Sequence, residues 1–248
     1  PALVSAIYSE WYSALGFVMS SSIIFVVGLL MLAFFRKTPE PHFNHSFLVV
    51  AWGWLAMTFA GGLPFFIISY ITPENVMSGF IPDGVSYSSS SLLYFRNYLH
   101  CFFESMSAFT TTGLTMALHE PSVGKGVLFY RSFAQWIDGA GFIIMVLAVF
   151  RFQSGHSVRM LYSSESTGIN LRSRVMDTAK GIWKSYAIIT ILTTLYLIIG
   201  THLILPEYPL TDNLFDSVNH ALAGLSSGGF STLDDSIATY KSAQMDYL

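Results

Sequence analysis

The sequence has 248 residues, is 52% hydrophobic and only 11% charged, and carries a formal net charge of −3. Soluble domains carry about 25% charged residues, so this composition excludes an ordinary water-soluble domain and points to a membrane. A single cysteine, Cys101, excludes an intrachain disulfide and any metal site built on cysteines.

In chain order, Pro1 to Tyr8 read as the outer end of an earlier helix, and the sequence reads as a fragment cut at both ends. Four apolar runs follow that are long enough to span a bilayer: Trp11 to Phe35, Phe47 to Ile71, Val127 to Phe150 and Ser185 to Leu205. A helix of about 20 residues crosses the ~30 Å of hydrocarbon. The third run is the least clean, because it contains Arg131 and Asp138. Between the second and third lies Thr72 to Asn97, whose Gly79 to Ser91 portion reads as a flexible polar connector. Tyr98 to Ala108 is apolar but too short to cross. Another short, amphipathic segment follows the fourth run.

Basic residues cluster at Arg36 and Lys37, and again at Arg151, Arg159, Arg172, Arg174, Lys180 and Lys184. Positively charged loops stay in the cytoplasm, which places both clusters inside and fixes the direction of every run by alternation. Carboxylates gather on the opposite side: Glu10, Glu74, Asp83, Glu120, Glu207, Asp212, Asp234 and Asp235. They either enrich cations at a pore mouth or are ordinary solvated loop residues. Trp11, Trp52, Trp54, Trp136 and Trp183 fall near run ends, as interface anchors should.

Behind each short segment stands a run of small hydroxylated residues and glycines. The first is Phe109-Thr110-Thr111-Thr112-Gly113-Leu114-Thr115, and the second Leu225-Ser226-Ser227-Gly228-Gly229-Phe230-Ser231-Thr232. Such a loop turns its carbonyl oxygens inward to replace the water of a dehydrated cation. The negative end of the half-helix dipole favours a cation at the same place. Candidate ligands are Thr110, Thr111, Thr112 and Gly113, then Ser226, Ser227, Gly228 and Gly229. Neither motif contains a carboxylate, which argues against a divalent site and for a large monovalent cation. The competing reading is a loop that merely caps a helix. Glu104, in the first half-helix, either tunes the ion field or braces the loop from behind. Asp138 either meets a permeating ion or proton, or pairs with Arg131, Lys125 or another external group. His100 and His220 have no partner at metal-ligand spacing and read as polar helix faces.

Three stretches carry a family resemblance: Phe102 to Gly113, Phe129-Tyr130-Arg131-Ser132-Phe133-Ala134-Gln135-Trp136, and Gly228 to Thr232. At these residues the chain resembles the Trk/Ktr/HKT superfamily of potassium transporters, in its bacterial TrkH/TrkG branch. The resemblance implies an all-α polytopic membrane protein of membrane-pore-membrane repeats, with re-entrant pore half-helices and filter loops in pseudo-fourfold arrangement. It implies an extra-helix region at 1–45, a first repeat at 46–160 and an incomplete second repeat at 161–248. Gly113 and Gly229 match the filter glycines of repeats one and two. Potassium is the implied substrate, with no covalent cofactor and no nucleic-acid partner. The implied assembly is a homodimer in the bacterial inner membrane on a cytosolic, nucleotide-binding, TrkA-type regulatory subunit. Where the family has Gly-Gly after its conserved Trp, this sequence has Trp136-Ile137-Asp138-Gly139. A sodium-coupled Ktr-type subunit and an intramembrane enzyme using His100, Glu104 and Asp138 are the alternatives.

Overall fold

The computed structural model describes residues 1–38, 43–141 and 171–245, and among them there are helices and loops but no strand. In order the helices are α1 (Ala2–Ile7), α2 (Trp11–Phe35), α3 (Phe43–Ile71), α4 (Glu74–Met77) and α5 (Tyr98–Phe109). Then come α6, helical over 125–141, α7 (Leu171–Ile204) and α8 (Leu210–Leu225). Within α2, α3 and α7, the stretches Trp11–Phe35, Ala51–Ile71 and Asp177–Ile204 are long and apolar enough to cross a membrane. The third expected run begins with α6, and its remainder lies outside the described residues, as do Arg151, Arg159 and the boundary expected at 160.

Two helices extend beyond their apolar runs. α3 starts at Phe43, not Phe47, and α7 at Leu171, not Ser185. Arg172, Arg174, Lys180 and Lys184 therefore belong to a helix where a loop was expected. Hydropathy marks only the part of a helix that lies in hydrocarbon, and a polar first stretch continues it into water.

α5 is held against α3 at two glycines. A Cβ at Gly61 would clash with Phe109 and Ser105, and one at Gly62 would stand 3.2 Å from the Cys101 backbone. Small residues let helix backbones approach this closely. The apolar core gathers Phe17 of α2, Phe65 and Ile68 of α3, Phe95, Cys101, Val127 and Leu128 of α6, and Phe215 of α8. On α2, by contrast, every residue from Ser21 to Phe35 is exposed.

The connector expected at Gly79 to Ser91 is packed at its end. Ser90 and Ser91 are buried, Ser90 Oγ donates to Ser122 O, and Ser91 N–H donates to Ser122 Oγ at 2.9 Å. His119 N–H donates to Ser91 Oγ at 2.9 Å. The serine run reads as flexible because hydroxyls suit water, yet here they satisfy buried backbone groups. Trp136 also has partners inside the protein. It lies between α6 and α7, donates from Nε1 to Thr190 Oγ1 at 2.8 Å, and stacks on Tyr186 with ring centroids 5.4 Å apart.

Candidate functional site

The half-helices α5 and α8 end in the same way. Thr111 N–H donates to Ala108 O and Thr112 N–H to Ser107 O, at 3.3 and 2.9 Å. Ser227 N–H donates to Gly224 O and Gly228 N–H to Ala223 O, at 3.0 and 2.8 Å. This bond pair is the Schellman termination, which needs a left-handed residue one place past the cap. Thr111 and Ser227 fill that place, with φ of 50° and 59°. The conformation costs a side-chain-bearing residue roughly 1–2 kcal/mol. Past Thr112 and Gly228 each chain leaves the helix, and a second positive φ follows at Gly113 and at Gly229, 78° in both. Two different sequences thus trace the same four-residue backbone. The capping and filter readings divide the motif: its first half closes the helix and its second half runs free of it.

The side chains follow suit. Thr110 Oγ1 donates to Met106 O at 2.7 Å and lies 2.7 Å from Thr112 Oγ1. Ser226 Oγ bonds back to Leu222 O and Ala223 O. Thr110, Thr112, Ser227 and Gly229 keep an exposed edge, while Ser226 and Gly228 are buried. The loops meet at their glycines: a Cβ on Gly113 would run into the carbonyl oxygen of Gly228 and stand 3.3 Å from Gly229 Cα.

Behind the loops lies a polar brace. Glu104 and Arg131, 0% and 1% exposed, form an ion pair at 2.7 Å. Glu104 also accepts from Met116 N–H at 2.7 Å and Thr115 Oγ1 at 2.9 Å, so it secures the strand just past Gly113. Arg131 crosses to the second loop, donating to Ser231 O at 3.5 Å with its guanidinium 4.3 Å from the Phe230 ring centre. Gln135, fully buried, donates to Gly228 O at 2.9 Å and accepts from Phe230 N–H at 3.3 Å. The Gly228 carbonyl keeps a second lone pair.

The second unit carries a polar group at the equivalent place. Nine residues before its glycine, where Glu104 precedes Gly113, stands His220 before Gly229. His220 Nε2 lies 3.3 Å from Ser231 Oγ, as Glu104 meets Thr115. Thr115 Oγ1 and Ser231 Oγ each accept an N–H two residues on, from Ala117 and Leu233. Asp216 instead accepts from Thr232 Oγ1 at 2.6 Å and Tyr208 OH at 2.5 Å.

Asp138 does not pair with Arg131 or Lys125. Arg131 is bound to Glu104, and Lys125 Nζ to Asp212. Asp138 is 7% exposed, and among the described residues it makes no hydrogen bond or ion pair. His100 Nδ1 lies 2.8 Å from Tyr94 O, and no cluster of metal-ligating side chains occurs among the described residues.

Two of the carboxylates expected as loop residues organise the outer side. Glu10 accepts from Lys125 N–H and Gly126 N–H at 2.6 and 2.9 Å, which caps the start of α6. Burial raises its carboxyl above the usual range, against those backbone bonds. Glu120 N–H donates to Asp234 Oδ1 at 2.9 Å, tying the segments beyond the two loops together. Burial pushes the Glu120 carboxyl up to about 7 against the pull of Arg131, and neighbouring Asp234 adds to the rise. The motifs flagged α5, α8, Glu104 and the loops. Gln135 stood only within a resemblance stretch and Glu10 only among the external carboxylates, and neither role was readable, because their contacts lie 93 to 116 residues away.

A family model described as TrkH, a cation transport protein, matches residues 20–247. The chain is 30% identical over 234 residues to an uncharacterized cation transporter of Methanocaldococcus jannaschii, covering 93% of this chain and 41% of that protein. It is 28% identical over 247 residues to the Trk system potassium uptake protein TrkH of Escherichia coli K12, covering 98% and 44%. The crystal structure of the potassium transporter TrkH from Vibrio parahaemolyticus is similar at a TM-score of 0.65 and 26% identity, over 100% of this chain and 43% of that one. The chain spans less than half the length of these relatives.

Proposed function

Because the chain belongs to the TrkH family of cation transport proteins, we propose that it forms part of the potassium path of a membrane transporter. The observation that carries this reading is the pair of loops. They share one backbone pattern, meet at Gly113 and Gly228, and contain no carboxylate. Carbonyls of Thr110 to Gly113 and Ser226 to Gly229 then replace the water of a potassium ion. The C-terminal ends of α5 and α8 add negative potential at the same point. Neutral ligands hold the ion weakly enough for it to leave.

In this reading residues 46–160 are one membrane-pore-membrane unit and 161–248 the start of a second, and two further units close the ring in the complete protein. The complete protein works in the bacterial inner membrane as a homodimer, with a cytosolic TrkA-type subunit conveying nucleotide control. The likeness to Trk system proteins supports a multi-subunit arrangement. No observation favours the sodium-coupled alternative, and the relatives that match are named as transporters, not enzymes.

The test is complementation. The complete gene should restore growth of a potassium-uptake-deficient strain at low external potassium, and Gly113→Asp should abolish that growth at normal membrane levels. Rescue by Gly113→Asp would overturn the reading.

A further inference from the structure

One face of α6 runs along the second loop from its outer to its inner end. Arg131 holds Ser231 O and lies over Phe230. One turn further, Gln135 holds Gly228 O and Phe230 N–H. Another turn on, Gly139 packs on the residue that ends α8, where a Cβ would stand 3.0 Å from Ser226 Cα. Positions three and four apart share a helix face, so Asp138 belongs to this stripe and lies at the inner end of the loop.

Asp138 is buried, and the two cations among the described residues of α6, Arg131 and Lys125, are bound elsewhere. A second polar group at the same place is also unsatisfied. The Tyr186 hydroxyl lies 2.7 Å from the position a Gly139 Cβ would take, is buried, and has no hydrogen-bond partner among the described residues. Asp138 immediately precedes Gly139, the residue that the hydroxyl approaches. α8 ends beside them at Leu225, so its negative pole adds to the same potential. An unpaired carboxylate at this depth is costly unless a positive charge joins it. Oxygen donors, a helix C-terminus and a gap in positive charge together describe a cation site.

We propose that Asp138 and the Tyr186 hydroxyl form an inner site for the transported monovalent cation, holding it as it passes the Ser226 end of the second loop. The proposal rests on the transport reading above. It assigns a charged ligand to a path whose loops offer neutral ones, so it sets the affinity at which the path fills.

The test uses the complete protein with its partner subunits in lipid vesicles, with potassium flux measured against potassium concentration and pH. Asp138→Asn should raise the half-saturating potassium concentration about tenfold, and Asp138→Glu should return it close to wild type. Tyr186→Phe should raise it about threefold, the loss of a single oxygen. Asp138→Asn with unchanged half-saturation overturns the proposal. So does a change confined to the pH profile, which would make Asp138 a proton carrier. If Asp138→Asn does not accumulate, Tyr186→Phe decides, and unchanged half-saturation there overturns the site. Wild-type vesicles without potassium flux would remove the transport reading and this site together. Normal wild-type flux with an inert Asp138→Asn removes the site alone.

Discussion

Gly113 and Gly229 have the same φ of 78°, yet they meet different surroundings. A Cβ on Gly229 finds its nearest neighbour, Gly113 Cα, at 4.0 Å, whereas one on Gly113 runs into the Gly228 carbonyl. Both substitutions carry the left-handed cost, about 1–2 kcal/mol. Only Gly113→Ala also displaces a backbone, which cannot yield as a side chain can. Gly113→Ala is therefore expected to abolish potassium uptake while Gly229→Ala retains part of it, as uptake rates in the complete protein would show. Arg131 allows a second expectation. Removing one partner of a buried ion pair costs about 3–5 kcal/mol, because the other charge stays buried. Arg131→Met should lower the melting temperature sharply, and adding Glu104→Gln should recover much of the loss, since Gln still accepts from Met116. A single variant as stable as wild type would count against the brace. Bracing by Glu104 was one of two roles the sequence left open for a carboxylate inside a half-helix otherwise built for the membrane, and its bonds to Met116 and Thr115 fit that one. Its partner was not legible in sequence. Arg131 and Asp138 share a helix face, but seven residues separate them by about 10 Å along the axis, too far for an ion pair. Glu104 wins because α5 lies across α6, a contact that periodicity does not encode.

Elements are anchored mainly at their ends. α6 opens at Gly124, with φ of 90°, and its first two N–H groups point at the Glu10 carboxylate. Glu10→Ala should destabilise this junction by about 1 kcal/mol, the usual worth of a cap, and Glu10→Gln by less, read as earlier thermal unfolding. The junction between the two outer segments depends on pH. The Glu120 carboxyl feels Asp234 and Arg131, and its value rises from an ordinary 4.5 to about 7. A raised carboxyl favours the protonated folded form. Its stabilising effect is thus complete below about 4.5 and is lost as pH climbs through about 7. Amide exchange over residues 117–123 should accelerate across that interval, and Glu120→Gln should flatten the profile. The two short segments were readable as half-helices at this scale, and α5 has 12 residues and α8 has 16. Nothing in the charge pattern marked His220, which counting back nine residues from Gly229 places where Glu104 stands before Gly113.

At the scale of the molecule, the apolar side chains of α2 and α7 are largely exposed, as lipid-facing helices require. In the proposed arrangement two loops alone do not close a ring, so residues 1–248 expressed alone should insert into membranes and give no potassium flux. Flux from that chain would refute a shared axis. The membrane character and the repeated span, half-helix and loop were plain in composition and motif. The way one unit supports the other was not, because it depends on side chains of α6 meeting a loop almost a hundred positions later. That clasp has a consequence for chimeras between relatives. Arg131 and Gln135 are encoded upstream, while the backbone they grip is encoded downstream. A crossover placed between Gln135 and Phe230 joins a grip from one parent to a strand from another, so such hybrids should fail more often than hybrids that inherit both from one source. Sequence drift on the two sides of that boundary is thereby obliged to proceed in step.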